Sequence, residues 1–388
     1  MSSSNPHIFL LAGEFSGNLY GAALARELRK LSPRLRLSGV GGSQMADAGV
    51  HLVRDSSTWG GIGLVESLKR CHLVWVYRQL VRQLTWDKPD VLVLIDYPGF
   101  NMPIARFAKS VGIPTLYYFP PGKFTDSADS IRDAARTITR VAAPFELTYV
   151  RYREAQASVE FVGHPLFDVV KTEIDRDRIR ADFAIKPNQR IIGLLPGSRR
   201  QEIRMHTPIL AECARQIALV YPEARFIVPV VNCNLREYGD FVQNTVSRHL
   251  RHYGIPVDVT VDRTYDVMAV SDLLVVCSGT ATLEAAYYEA PMIVTYRTSL
   301  MTEILARLFY PSMPPYVGLP NILAQRMIVP EFIQQDFIPE NVIRECRDIL
   351  DNQQRVAQIR ADLRAVVDKL GPRGATERVA RMALDLVG

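Results

Sequence analysis

One recurring unit restricts the fold of this chain more than any other feature. A short run of apolar residues is followed by a turn of small and polar residues, and then by a helical pattern. The runs fall at residues 8–12, 35–40, 91–95 and 115–119, and a second series falls at 191–195, 225–231, 257–261, 273–277 and 292–296. A run such as Val91-Leu92-Val93-Leu94-Ile95 does not alternate with polar residues, so both faces of the strand are buried. Strands of that kind, alternating with helices, form parallel sheets joined by right-handed crossovers. With 388 residues the chain is too long for one ordinary core, and the two series become two domains.

The expected fold class is therefore α/β, with two doubly wound parallel-sheet, Rossmann-like domains facing a cleft. The polar stretch 168–189, with Lys186-Pro187-Asn188, separates the two series. The domains are expected at 1–167 and 168–371. Residues 352–386 read as terminal helix, broken by Gly371-Pro372-Arg373-Gly374, and the segment 372–388 is expected to pack back on the first domain.

Composition narrows the function classes. Hydrophobic residues are 48% and charged residues 22%, which suits a globular chain. A formal charge of +5 suits an anionic substrate or membrane surface and is far below that of a nucleic-acid binder, so no nucleic-acid partner is expected. Cys71, Cys213, Cys233, Cys277 and Cys346 are scattered and form no CxxC, as reduced thiols in a cytoplasmic protein do. The seven histidines show no HExxH, so neither metal nor cofactor is expected. Residues 1–6 carry no positive charge, and the apolar run 7–12 is short for a signal peptide. No stretch approaches the roughly 18–20 apolar residues of a membrane span.

Ligands of doubly wound sheets bind at the carboxyl ends of the strands, and the polar motifs of this chain fall there. After the run 271–276 comes Cys277-Ser278-Gly279-Thr280, and the following helix holds Glu284. Ser278, Gly279 and Thr280 lead into a helix N-terminus whose unpaired N–H groups and positive dipole end suit a phosphate. Glu284 is placed to accept hydrogen bonds from ribose hydroxyls. It follows Thr280 by four residues, one too many for a capping box. The alternative is a well-capped helix with a solvated glutamate.

Leu194-Leu195-Pro196-Gly197-Ser198-Arg199 repeats the arrangement, and Arg199 has the charge and planar donor fork to clamp a diphosphate beside Ser198. The first loop, Ala12-Gly13-Glu14-Phe15-Ser16-Gly17-Asn18, is neither GxGxxG nor a P-loop, and it offers Glu14, Ser16 and Asn18 as polar groups. Asp96 ends the apolar run 91–95, where partial desolvation makes a carboxylate a useful general base. His164, in Val162-Gly163-His164-Pro165, is a substrate contact or a hinge residue. Asn321, in Leu319-Pro320-Asn321, is a sugar or phosphate contact, or bonds its local backbone.

In the helical stretch 68–84, Leu73, Val76, Tyr77, Leu80 and Leu84 form an inward stripe. Val74, Trp75, Arg78 and Arg82 lie off it. An apolar and basic second face suits a helix resting on an anionic membrane, and also a domain helix with snorkelling arginines.

The motifs above, taken in order with Ile62-Gly63-Leu64-Val65-Glu66, Pro144-Phe145-Glu146 and Pro229-Val230-Val231-Asn232, resemble the lipid-A-disaccharide synthase family from about residue 8 to residue 335. The resemblance implies GT-B architecture and metal-independent, inverting transfer of 2,3-diacylglucosamine from UDP to 2,3-diacylglucosamine 1-phosphate. The implied product is the β-1′,6-linked disaccharide of lipid A. The implied partners are a UDP-activated acylated sugar, a lipid acceptor and, peripherally, the cytoplasmic face of the inner membrane. The resemblance makes Asp96 the base, Glu14 and Ser16 its first-loop companions, and Arg199, Glu284 and Asn321 the UDP-side residues.

Three positions depart from the family pattern. Asn18 stands where an Asp is usual, and Gly99 where a second Asp is usual. Pro120-Pro121-Gly122-Lys123-Phe124-Thr125-Asp126-Ser127 replaces a Ser-Pro-x-x-Trp-Ala-Trp-Arg run on the acceptor side. Other readings of the same motifs are transfer to another lipid, a non-hydrolysing UDP-GlcNAc 2-epimerase, and a non-catalytic nucleotide-sugar or lipid-binding homologue.

Overall fold

The computed structural model describes residues 5–13, 15–56, 66–121, 128–230, 257–299 and 315–387, with Asn244 and Arg248, excepting the side chains of Phe15 and residues 66–73. The chain forms two compact units, Met1–Val169 with Leu370–Gly388, and Val170–Lys369.

The strands of the first unit are β1 (His7–Ala12), β2 (Arg36–Gly41), β3 (His51–Asp55), β4 (Val91–Ile95), β5 (Thr115–Tyr118), β6 (Arg140–Ala143) and β7 (Val159–Phe161). They pair in parallel in the order β3-β2-β1-β4-β5-β6-β7. All of β1 and β4 is buried, as apolar runs without alternation require. The chain runs outward from β1 to β3 and returns on the other side of β1 at β4, so the switch point lies between β1 and β4.

The second unit repeats the plan with β8 (Ile191–Leu195), β9 (Arg225–Val230), β10 (Val257–Val261), β11 (Leu273–Cys277), β12 (Met292–Tyr296) and β13 (Glu331–Ile333). Their order is β10-β9-β8-β11-β12-β13, again parallel, with the switch point between β8 and β11. Strands β3, β6, β7 and β13 have no counterpart among the apolar runs. β3, β7 and β13 are short and only partly buried, and hydrogen bonding to a neighbouring strand, not a sequence pattern, defines them.

The terminal helix is two helices. Gln353–Asp368 belongs to the second unit, whereas Ala375–Asp385 packs on the helix Phe15–Leu31 of the first. Asp168 holds this return, because its two carboxylate oxygens accept the N–H groups of Gly374 (3.0 Å) and Thr376 (2.7 Å) at the start of the last helix. Arg378 donates to the Val162 carbonyl at 2.7 and 3.0 Å. Gly163, at φ +76°, lets the returning chain pass, since a Cβ there would lie 2.8 Å from the Pro372 carbonyl. Asp168 opens the polar stretch in sequence, yet in space it belongs to the first unit.

Candidate active site

At the first switch point Gly13 follows β1 and Asp96 follows β4, paired strands whose last partners are Ala12 and Ile95. Asp96 is half-buried. It and Tyr97 both have left-handed backbones, with φ of 52° and 48°, an arrangement side chains with a Cβ rarely adopt. Gly13 is required here, because a Cβ on it would lie 2.4 Å from the Tyr97 ring. Gly17 is not crowded to that degree, its Cβ position being 3.4 Å from the Ala12 Cβ. Ser16 is half-buried in the first turn of Phe15–Leu31. Glu14 lies outside the described residues, as do residues 57–65 and 122–127, which carry part of the family resemblance and the replaced acceptor-side run.

Two residues read as ligand contacts turn to the protein instead. The buried Asn18 accepts from the N–H groups of Gly42 (2.9 Å) and Met45 (3.2 Å), and donates to Gln44 Oε1 at 3.3 Å, so its amide holds the turn after β2. His164 is 3% exposed, and its Nδ1 accepts the Leu166 N–H at 3.1 Å. Its ring sits among Tyr20, Phe119 and Phe145 at centroid distances of 5.9, 5.3 and 5.1 Å. That is a packed core histidine.

At the second switch point the turns after β8 and β11 meet. A Cβ on Gly197 would lie 3.2 Å from Cys277 Sγ and 2.6 Å from Glu202 Oε2, and Gly197 has φ +104°. Beneath the first turn the buried Glu202 accepts from Ser198 N (3.1 Å), Arg199 N (3.2 Å) and Arg199 Nη1 (2.9 Å). Arg199 is the N-cap residue of the helix Arg200–Val220, and Glu202, three residues on, accepts its N–H as the N3 glutamate of a capping box does, while the arginine side chain, which has no acceptor, donates to the same carboxylate. That spacing was visible in sequence and marks Glu202 as the support of Arg199, whose side chain is 40% exposed.

Gly279 N-caps the helix Thr280–Tyr287 with φ 156° and ψ −165°, a region only glycine occupies readily, and nothing lies within 4 Å of its Cβ position. The Thr282 N–H donates to the Gly279 carbonyl at 3.2 Å, and the N–H groups that begin an α-helix have no i−4 carbonyl to bond. Ser278 Oγ donates to the Val317 carbonyl at 2.7 Å. Glu284 is half-buried and makes no hydrogen bond or ion pair among the described residues. Burial pushes its carboxyl up to about 7. Glu284 is thus partly withdrawn from solvent and not a fully exposed glutamate.

Asn321 is fully buried, and both ends of its amide are engaged. It donates to the Val329 carbonyl (2.8 Å) and Glu331 Oε1 (2.6 Å), and accepts from Ile328 N (2.7 Å) and Val329 N (3.0 Å). Glu331 also accepts from Val317 N and Gly318 N at 2.8 and 2.9 Å. The sequence expectation of a direct ligand contact at Asn321 is thus replaced by a backbone anchor, because four partners leave the amide no further valence. Glu331 carries no sequence signal, since its partners are ten to fourteen residues away.

The helix Glu66–Trp86 buries Val76, Leu80 and Leu84. Val74 and Trp75 are 52% and 49% exposed, Arg78 and Arg82 are exposed, and the Arg54 guanidinium lies 4.5 Å over the Trp75 ring. Trp86, not singled out from sequence, is 92% exposed. Among the described residues no helix is long and apolar enough to cross a membrane.

Two doubly wound parallel sheets, each with polar turns at its switch point, define the GT-B class of α/β proteins. Solved structures similar to the chain share this fold. They include a UDP-GlcNAc 2-epimerase from Neisseria meningitidis bound to UDP-GlcNAc (TM-score 0.67, 14% identity, 98% of this chain and 100% of that one). Acinetobacter baumannii MurG is another (TM-score 0.58, 14% identity, 98% and 99% covered). The family model described as Lipid-A-disaccharide synthetase matches residues 8–384. A lipid-A-disaccharide synthase of Geobacter sulfurreducens is 37% identical over 100% of this chain and 99% of its own, and one of Nitrosococcus oceani is 35% identical over 100% and 98%. The chain belongs to the lipid-A-disaccharide synthetase family, and so to the glycosyltransferases.

Proposed function

We propose that the protein moves a 2,3-diacylglucosamine unit from UDP to 2,3-diacylglucosamine 1-phosphate with inversion, forming the β-1′,6-linked disaccharide of lipid A. One observation carries this reading in a chain of this family. At the second switch point an arginine turn and an open helix N-terminus stand side by side, with a desolvated glutamate one turn into the helix.

In the reaction, the N-terminus at Gly279-Thr280 and the Arg199 guanidinium take the diphosphate, and Glu284 accepts hydrogen bonds from the ribose hydroxyls. Asp96 removes the acceptor hydroxyl proton as that oxygen attacks the anomeric carbon, and Ser16 and Glu14 are the polar residues that the first loop contributes to this reading. The bond from the anomeric carbon to the UDP oxygen breaks on the opposite face, and its electron pair leaves with UDP. Arg199 and the helix dipole offset the charge that develops there. The UDP-GlcNAc held by the Neisseria epimerase supports a nucleotide-sugar reading of the shared fold. Asn18, Asn321 and His164 serve this site by holding backbone and core.

Acylated substrates reside in membranes, and the helix Glu66–Trp86 is the proposed resting face. Trp75, Arg78, Arg82 and Trp86 are spaced to form one exposed stripe, with Val74 at its edge. The stripe suits peripheral contact with an anionic cytoplasmic membrane surface.

The test is purified protein with UDP-2,3-diacylglucosamine and a panel of lipid acceptors, followed by mass spectrometry. Disaccharide and UDP should appear together with diacylglucosamine 1-phosphate. Product formed only with a different lipid would overturn the acceptor assignment. Conversion of UDP-GlcNAc to UDP-ManNAc without acceptor would make the protein an isomerase, and UDP binding without turnover a carrier.

A further inference from the structure

We infer that Asn101 and Tyr117 are positioning residues that lock Asp96 in its left-handed backbone and thereby aim its carboxylate; this rests on the reading of Asp96 as the base. Asp96 and Tyr97 are consecutive left-handed residues, φ 52° and 48°, and neither is a glycine. Such a pair persists only where its surroundings over-determine it.

Three hydrogen bonds do so. The Asp96 N–H donates to the Tyr118 carbonyl at 2.9 Å. Its own carbonyl accepts Asn101 Nδ2 at 2.6 Å and the Tyr117 hydroxyl at 2.9 Å. Asn101 comes from the helix Pro98–Ser110 and Tyr117 from β5, so two separate elements converge on one oxygen. With the peptides on both sides of Asp96 fixed, the direction of its Cβ is fixed as well. Gly13 completes the arrangement by leaving room for the Tyr97 ring.

Packing does not explain Asn101. Its side chain is fully buried, yet Oδ1 has no hydrogen-bond partner. An apolar residue of the same shape would avoid burying that oxygen. The amide cannot turn round either, because its other donor contact is the Ile95 carbonyl at 3.3 Å and a flipped oxygen would face two carbonyls. What Asn101 supplies is a donor to the peptide of Asp96.

The experiment is a pair of mutant cycles on the full-length protein, read as kcat, KM for the UDP-sugar and the pH profile of kcat. Asn101→Leu and Tyr117→Phe should each lower kcat by roughly 10- to 100-fold, the scale of a misaimed catalytic group. KM and UDP affinity should stay within about twofold, and the limb of the pH profile belonging to the base should move. In an Asp96→Asn background the same substitutions should have no further effect, since residues acting through one group are not additive. Tyr117→Phe removes a single oxygen, and its cycle decides the matter alone if Asn101→Leu does not fold. Wild-type kcat in the folded single variants, or equal losses in both backgrounds, overturns the inference. If Asp96→Asn itself stays active, the base assignment fails first and this role falls with it.

Discussion

In the turn after β8, Arg199 Nη1 donates to Glu202 Oε1 at 2.9 Å, while the other oxygen of that carboxylate accepts the N–H groups of Ser198 and Arg199. One buried glutamate thus shapes the turn and holds the cation that stands on it. The Arg199 side chain remains 40% exposed, on a turn that meets the Cys277–Gly279 turn where Gly197 approaches Cys277. Its loss would leave the Glu202 carboxylate with two backbone donors but with no cation on this turn to offset its charge.

Arg199→Ala is therefore expected to weaken UDP binding by roughly 1.5–3 kcal/mol, the range for a hydrogen bond to a charged group. Adding Glu202→Gln should recover part of that loss by removing the uncompensated charge. Calorimetric titration of UDP measures both. Because Arg199 and the helix dipole offset the leaving charge, EDTA should leave turnover unchanged. Loss of turnover restored by Mg²⁺ or Mn²⁺ would refute that account.

Glu284→Ala is expected to weaken UDP affinity on the same scale. Glu284→Gln carries a second signature. Burial raises the folded-state value to about 7 from the ordinary 4.5. The folded chain therefore binds the extra proton, and the wild type loses stability as pH rises from 4.5 through 7. The variant escapes that loss, gaining on the order of 3 kcal/mol over wild type above pH 7 and nothing near pH 4. Thermal melts across pH check it, and a pH-independent difference would mean that Glu284 is not desolvated. If Arg199→Ala and Glu284→Ala both bind UDP like wild type, the nucleotide site lies elsewhere.

Asp96→Asn should lower kcat by ~10²–10⁴-fold, the usual contribution of a general base. UDP affinity should remain close to wild type, because Asp96 and the nucleotide turns belong to different units. Retention of more than about a tenth of kcat would remove Asp96 from that role.

Anionic liposomes should bind the protein, and binding should fall as salt rises, since each basic residue near such a surface contributes about 1 kcal/mol and is screened. Arg78→Glu with Arg82→Glu should weaken flotation at low salt, as should Trp75→Ala with Trp86→Ala, with UDP affinity unchanged. Flotation equal to wild type in both double variants would leave Glu66–Trp86 as a domain helix only.

Much of the fold was legible because apolar runs are local. Residues 91–95 and 273–277 announce buried strands by themselves, and the turns after them announce where ligands can approach. Edge strands such as β7 were not legible, because half-exposed segments become strands only when a neighbour offers its hydrogen bonds. The same distinction runs through the site. Arg199, the Ser278–Thr280 turn and Asp96 could be found from their places at strand ends.

By itself, then, the sequence determined two doubly wound sheets, the turns at their switch points and the family. Tertiary structure alone decided what each polar side chain there does. Asn18 holds a turn 24 residues away, and Asp168 caps a helix 208 residues on. Asn321 anchors a loop through Glu331, and Asn101 with Tyr117 grips the peptide of Asp96. The physical reason is that burial periodicity is written within a few residues, whereas a polar group takes whichever partner the folded chain brings within about 3 Å of it.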